Sequence, residues 1–213
     1  MQSRSALEDV RVDTLPCMGG LDDSPRGKIL RAAAYLFQQQ GYTRTTVRDI
    51  ATLVGIQSGS LFHHFKTKDE ILLAIMYEAI RYNTTRLEHA IAQHAQVLEK
   101  IKALILAELQ SINGDTGSAM AVLVFEWQNL TTAQQAPLLS MRDYYENIWL
   151  DVLAKAQAEG VIQHEPFIWR RLVGGAIAWT VTWYKPSGSM SLDQLSEVLL
   201  QMGTGGILSQ MVH

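Results

Sequence analysis

The sequence predicts an all-α protein of about nine helices, a three-helix N-terminal head followed by a larger C-terminal helical body. Three observations carry this. Apolar residues recur three and four apart from Ile29 onward, Ser-Pro starts and Gly stops punctuate the periodic stretches, and no stretch reads as a strand. The composition, 47% hydrophobic and 18% charged over 213 residues, is that of a chain that folds.

Residues 1–23 read as a flexible acidic arm, with Glu8, Asp9 and Asp13 and no unbroken apolar core of the kind a signal peptide needs. The single cysteine, Cys17, lies in this arm, so an internal disulfide and a cysteine-built metal cluster are both excluded. A reducing cytoplasm is the expected location. The longest apolar stretch, Val173 to Tyr184, is too short to span a bilayer, and no membrane partner is expected.

Residues 24–70 form the expected head. Ser24-Pro25 reads as an N-cap followed by proline at the first helical position, and Ile29, Ala33, Leu36, Phe37 and Gln40 trace one face before Gly41 stops the helix. Thr45 or Thr46 caps a second helix of two turns, with Val47, Ile50, Ala51 and Val54 at i, i+3, i+4 and i+7. Gly55 permits a tight turn, and a third short helix starts near Gln57 with Leu61 and Phe65 inward. Two short helices joined at a glycine make a helix-turn-helix.

Charge singles out the same segment. Seven basic residues (Arg26, Lys28, Arg31, Arg44, Arg48, Lys66, Lys68) face three acidic ones (Asp49, Asp69, Glu70), a local balance of +4, so with a net charge of −3 the rest of the chain carries −7. A basic segment on an acidic remainder fits contact of the head alone with a polyanion.

The run from Gly41 to Ala51 (Gly-Tyr-Thr-Arg-Thr-Thr-Val-Arg-Asp-Ile-Ala) and then Val54 to Leu72 closely resembles the N-terminal signature of the TetR family of transcriptional regulators. The resemblance implies a homodimer on double-stranded operator DNA. Its third helix would lie in the major groove, with Gln57, Ser58, Ser60 and His63 reading or approaching bases and Gly59 giving close backbone access. It places Thr46 and Lys68 against phosphates, with Arg44, Arg48, Lys66 and Phe62 on the same surface. Phe62 stands where the family usually has tyrosine, which removes a hydroxyl contact to phosphate and leaves only packing. The blander readings are that Thr46 is a helix cap and that Lys66 and Lys68 solvate a junction. Adjacent His63 and His64 diverge by about 100° on a helix and do not form a metal pair, and no metal or cofactor is expected.

The remainder, residues 71–213, is the expected effector-binding and dimerisation domain. A fourth helix runs from Lys68 into the nineties on Ile71, Leu72, Ile75, Met76 and Ile80. Helices at roughly Val97–Ile112 and Met120–Leu130 follow, then a long one from Pro137 to Glu159, one from Pro166 to Tyr184, and a last from Ser191 to about Met202. The helix after Pro166 is apolar around much of its circumference. With its small residues it fits a dimer seam formed with the last helix through Leu172, Gly175, Ala176, Trp179, Leu195 and Leu199; the alternative is a central core helix.

For an effector site, Phe125, Tyr145, Trp149, Trp179 and Trp183, with Glu126, Asn129 and Arg142 as polar anchors, would suit a hydrophobic small molecule, although each aromatic also serves as plain core. The stretch Ala178 to Gly188 with Ser191-Leu192 resembles the ending of the family's regulators of fatty-acid and sterol catabolism, which implies an acyl-CoA effector. The resulting expectation is a repressor that holds two heads about 34 Å apart on a palindrome and lets go when an effector favours another spacing, helix four carrying the change. Activation fits the same residues. An architectural DNA-binding protein without an effector is the alternative, while the lack of a Gly-rich phosphate loop, HExxH or G-x-S-x-G argues against an enzyme.

Overall fold

The structure, a computed structural model, describes residues 12–15, 21–114 and 116–205. Among these residues there are nine α-helices and no strand: α1 Pro25–Gln40, α2 Val47–Val54, α3 Ser58–Leu61, α4 Lys68–Ala92, α5 Val97–Asn113, α6 Gly117–Phe125, α7 Thr132–Ala158, α8 Pro166–Trp179 and α9 Leu192–Gly203. Short 3-10 turns occupy Val12–Thr14, Trp127–Asn129 and Thr180–Thr182. No described helix is long and apolar enough to cross a membrane.

The chain divides into two compact units, residues 1–79 with 115–138, and residues 80–114 with 139–213. Compactness therefore does not follow a boundary at residue 70, because α6 returns to pack on α1.

In the first unit α1 begins where Ser24 Oγ accepts the Gly27 N–H at 3.1 Å and ends at Gly41. Ile29, Leu30, Ala32, Ala33 and Ala34 are wholly buried, so three successive small residues let neighbouring helices approach closely. α2 starts on a reciprocal capping box between Thr46 and Asp49 and ends at Gly55, whose φ of 79° lets the chain turn sharply into α3. Within the arm expected to be loose, Val12 and Leu15 are buried on α1 and Asp13 pairs with Lys28 at 3.2 Å, a correction explained by the apolar area these two side chains remove from water. The rest of the arm, Cys17 included, lies outside the described residues.

The second unit is built around α5, which packs on α9 and α8. Its core joins Leu104, Ile105, Leu109, Trp149, Leu153, Trp169, Val173, Ile177, Leu195 and Leu199. Ser191 and Gln194 form the capping box that starts α9.

Three helix ends differ from expectation. α6 stops at Phe125 rather than Leu130, because Glu126 turns its carboxylate to the Tyr42 N–H (3.1 Å) and to Asn129 Nδ2 (2.7 Å) and the chain tightens into a 3-10 turn. α7 begins at Thr132, before Pro137. Thr131 and Gln134 cap each other there, and proline in the second turn removes only one backbone donor. α8 stops at Trp179, where the Thr180 hydroxyl donates to the Ile177 carbonyl at 2.6 Å and accepts from Asn113 Nδ2 at 2.7 Å.

Candidate nucleic-acid interface

The head presents α3 and its approaches to solvent. Gln57 is the N-cap of α3 but makes no capping bond with its side chain, so its amide is not committed to the helix start. Gly59, Ser60 and His63 are exposed, Ser58 is half-buried, and Leu61 and Phe65 hold the turn to the core beneath them. Phe62 is 51% exposed, unusual for a large apolar ring in a head so well packed. Arg44, Arg48 and Lys66 are exposed on the same unit. Arg44 Nε donates to the Gln40 carbonyl at 2.6 Å, which fixes the stem of the side chain.

Two residues expected against phosphates have other duties. The Thr46 hydroxyl accepts the Asp49 N–H (3.2 Å) and donates to Asp49 Oδ2 (2.8 Å), so it is a helix cap with its one hydrogen already placed. Lys68 Nζ donates to the carbonyls of Tyr42 and Thr45, both at 2.8 Å, and lies 4.1 Å from the Tyr42 ring centroid. At most one of its three donors is left for DNA. Burial pulls Lys68 below its ordinary pKa, while Asp69 and Glu126 oppose that shift.

Sequence reading missed the residue at the centre of this arrangement, Tyr42. Its N–H goes to Glu126, its carbonyl to Lys68 and its hydroxyl to Asp69, and its ring stands edge-on to Phe37 at 5.1 Å. Burial, and then the Asp69 carboxylate, hold its phenol well above the usual value of 10.0. Tyr42 thus fixes the link between α1 and α2 at four points. Its place after a helix-ending glycine, inside the run that resembles the family signature, was the signal for it.

The expected effector residues fall on both units. In the first unit Glu126 accepts from the Tyr42 N–H and from Asn129 Nδ2, while Phe125 there is 69% exposed. In the second unit Trp149 is fully buried with Arg170 stacked over it at 4.5 Å, Tyr145 packs against the core, Arg142 is exposed, and Trp179 and Trp183 are 67% and 50% exposed. Two open cavities of the second unit lie elsewhere. A groove of about 450 Å³ runs between α4 and α5, and a trough of about 530 Å³ between α5 and α9.

A buried polar centre was also missed. Arg170 on α8 bonds Glu108 of α5 at 3.1 Å and Glu146 of α7 at 3.2 Å. Gly174 makes room for it, since a Cβ there would stand 2.6 Å from Arg170 Nη1. Burial raises Glu108, and Arg170 opposes the shift. Burial would lower Arg170, but Glu108 and its neighbours outweigh it and hold the guanidinium above its ordinary value.

Of the expected dimer residues, Leu172, Gly175, Ala176 and Trp179 lie on the exposed face of α8, continued by Ile168 at i−4 from Leu172 and Trp183 at i+4 from Trp179. Leu195 and Leu199 do not join them; at 5% and 7% exposure they are core. The outward pair on α9 is Val198 and Met202, at one edge of a broad apolar arc whose other part, Leu195, Leu199 and Leu200, is buried, and periodicity alone did not say which part faces in. No group of three or more described His, Cys, Asp and Glu side chains forms a metal site.

Comparison with known proteins agrees with this architecture. A crystal structure of the superantigen PfiT shares 52% identity, covering 85% of this chain and 96% of that one with a TM-score of 0.73. The structure of the ketosteroid transcriptional regulator KstR2 of Mycobacterium tuberculosis is 28% identical, covering 89% and 97% with a TM-score of 0.79. The fatty acid metabolism regulator protein of Bacillus subtilis strain 168 is 27% identical over 184 residues, 84% of this chain and 94% of its own. Residues 29–75 match the bacterial regulatory proteins of the tetR family, and residues 94–207 match the tetracyclin repressor-like C-terminal domain. Over both parts, the chain belongs to the TetR family of bacterial regulatory proteins.

Proposed function

We infer that the protein is a ligand-responsive transcriptional repressor that binds palindromic operator DNA as a homodimer and is released by a small amphiphilic effector, an acyl-CoA thioester being the first candidate. The observation that carries the DNA part is the exposed surface of the α3 turn. Gln57, Gly59, Ser60 and His63 are exposed and Ser58 is half-buried, with Arg44 and Lys66 exposed on the same unit, on a segment with a charge of +4. Backbone phosphates would be met by Arg44, Arg48 and Lys66, and base edges by the first residues of α3. Thr46 and Lys68 would act indirectly, by fixing the start of α2 and the turn before it.

The dimer part rests on the apolar face of α8 and α9. Leu172 (70% exposed) and Trp179 (67%) on α8, and Met202 (74%) on α9, are large apolar side chains that a single chain leaves in water. The effector class is supported by two relatives, one a ketosteroid transcriptional regulator and the other a fatty acid metabolism regulator protein.

The test is fluorescence anisotropy of the whole protein on DNA from its own promoter, with and without acyl-CoA thioesters of graded chain length. Tight binding that one chain length weakens at least tenfold is the expected result. Absence of specific binding at low salt would overturn the regulator reading itself.

A second reading rests on the 52% identity with PfiT, namely that the chain acts on immune cells as a superantigen. It makes no demand on Gln57 to Lys66. T-cell stimulation that survives Gln57→Ala with Lys66→Gln would support it, and no stimulation by the wild-type protein would remove it.

A further inference from the structure

The groove between the C-terminal half of α4 and the middle of α5 is lined by Arg86 and His89 of α4, His94 of the link, and Gln110 of α5, over a floor that includes Ala103 and Leu106. No carboxylate lines it. Its volume of about 450 Å³ is that of a small-molecule site.

The guanidinium of Arg86 is held in place by uncharged groups. It donates to Gln110 Oε1 at 2.6 Å and stands 5.7 Å from the Tyr82 ring centroid, so these partners position the cation without cancelling its charge. The trough between α5 and α9 is the instructive contrast. Its cation, Lys102, is bonded to Glu197 and lies 3.7 Å from Asp193, so its charge is answered within the protein. Of the acids near the α4–α5 groove, Glu88 accepts from the Tyr144 hydroxyl at 2.7 Å, and Glu99 pairs with His94 at 3.6 Å from the trough side. Arg86 and His89 therefore face a cavity whose walls bear no negative side chain, above an alanine and leucine floor.

We propose that this groove binds an anionic amphiphile, its phosphate or carboxylate head against Arg86 and His89 and its apolar part along Ala103 and Leu106. The site rests on the reading that the protein answers to an effector, and it moves that effector from the tryptophans of α7 and α8 to the α4–α5 groove. α4 is also the helix whose first residue, Lys68, holds the carbonyls of Tyr42 and Thr45, so a ligand seated on its far half engages the element that fixes the reading head.

The experiment is isothermal titration of the full-length protein with lauroyl-CoA, with laurate and with inorganic phosphate, alongside operator anisotropy on the same samples. Arg86→Gln and Ala103→Leu should each weaken lauroyl-CoA or laurate binding at least tenfold. Arg86→Lys should stay within threefold of wild type, and Lys102→Gln should leave binding unchanged. Tighter binding of lauroyl-CoA than laurate identifies phosphates as the head, the reverse identifies the carboxylate, and phosphate alone should bind weakly or not at all. If the wild type binds an amphiphile that Arg86→Gln and Ala103→Leu bind equally well, the groove is wrong while the effector reading stands. If the wild type binds neither amphiphile, the groove's ligand class is wrong, whatever the operator DNA does. Binding that these variants abolish, with operator affinity unmoved in the wild type, would keep the groove and remove the release mechanism.

Discussion

The ammonium of Lys68 lies 2.8 Å from the carbonyl oxygen of Tyr42, so the first residue of α4 holds the link that leads into α2. A lysine in that position reports on shape rather than on phosphate charge, and this separates it from Lys66. Neutralising a phosphate contact should lower the salt dependence of operator binding by about one unit of slope. Lys66→Gln is expected to do that with stability unchanged. Lys68→Gln should instead cost about 2 kcal/mol of stability through two lost charged hydrogen bonds, and weaken operator binding with the salt slope unmoved. Anisotropy from 50 to 300 mM salt (roughly the range in which such slopes are read), together with urea unfolding, decides it; a slope change in Lys68→Gln would return that residue to the phosphate surface.

Tyr42 makes the same joint sensitive to alkali. Its phenol is raised above 10.0 in the folded protein by burial and by Asp69, so folding favours the protonated form. Below the unfolded value both states carry the proton and the contribution is complete. As pH climbs past about 10 the unfolded chain ionises first, and stability falls. Tyr42→Phe has no such proton to lose. The variant should be less stable than wild type at neutral pH by about 1–2 kcal/mol, the worth of a hydrogen bond to a charged group, yet show a shallower loss of Tm between pH 9 and 11. Parallel alkaline slopes would place the effect elsewhere.

Glu126 reaches the joint from α6. Removing it leaves the Tyr42 N–H and the Asn129 amide without their acceptor, so Glu126→Ala should lower stability by about 1–3 kcal/mol. Glu126→Gln keeps an oxygen at the same distance and should recover most of that. If the two variants unfold at the same urea concentration, the carboxylate's hydrogen bonds contribute nothing measurable.

How far these features were readable follows from range. The ends of α1 and α2 were legible because Ser24, Thr46, Asp49 and Gly55 act on backbone groups within three or four residues. The head's exposed residues were legible as well, since Gln57 to Lys66 follow a local helical phase. The bond from the Tyr42 N–H to Glu126 was not legible, because the two residues are 84 apart and no spacing rule links them. Leu195 and Leu199 were misplaced for a related reason: periodicity says that a broad arc of α9 is apolar, and only packing against α5 decides which part of it is inside.

Arg170 and Glu108 cross 62 residues of sequence and are buried together, which makes their removal asymmetric. Deleting one partner strands a charge in the core, so Glu108→Ala should cost about 3–5 kcal/mol, whereas the apolar double variant Glu108→Leu with Arg170→Met should regain most of it. Gly174→Ala should destabilise as well, because its methyl would meet the guanidinium, and should be neutral in the Arg170→Met background. A double-mutant cycle in urea measures both couplings, and simple additivity in either would count against the arrangement.

The outward face of α8 separates assembly from folding. Leu172 and Trp179 are exposed and contribute nothing to the unit's own core, whereas Leu199 is 7% exposed within it. A charge on the outer face therefore meets water in the free chain and an apolar partner only in a dimer, where burying it unpaired costs several kcal/mol. Leu172→Glu with Trp179→Glu should give a folded monomer by light scattering, with far-ultraviolet dichroism unchanged. Operator affinity should fall at least a hundredfold, because a palindrome read by one head loses half its contacts and the advantage of linking two. Leu199→Glu should unfold the second unit instead. A dimeric Leu172→Glu, Trp179→Glu variant would move the interface to another face, and a monomer with undiminished operator affinity would remove the need for two heads.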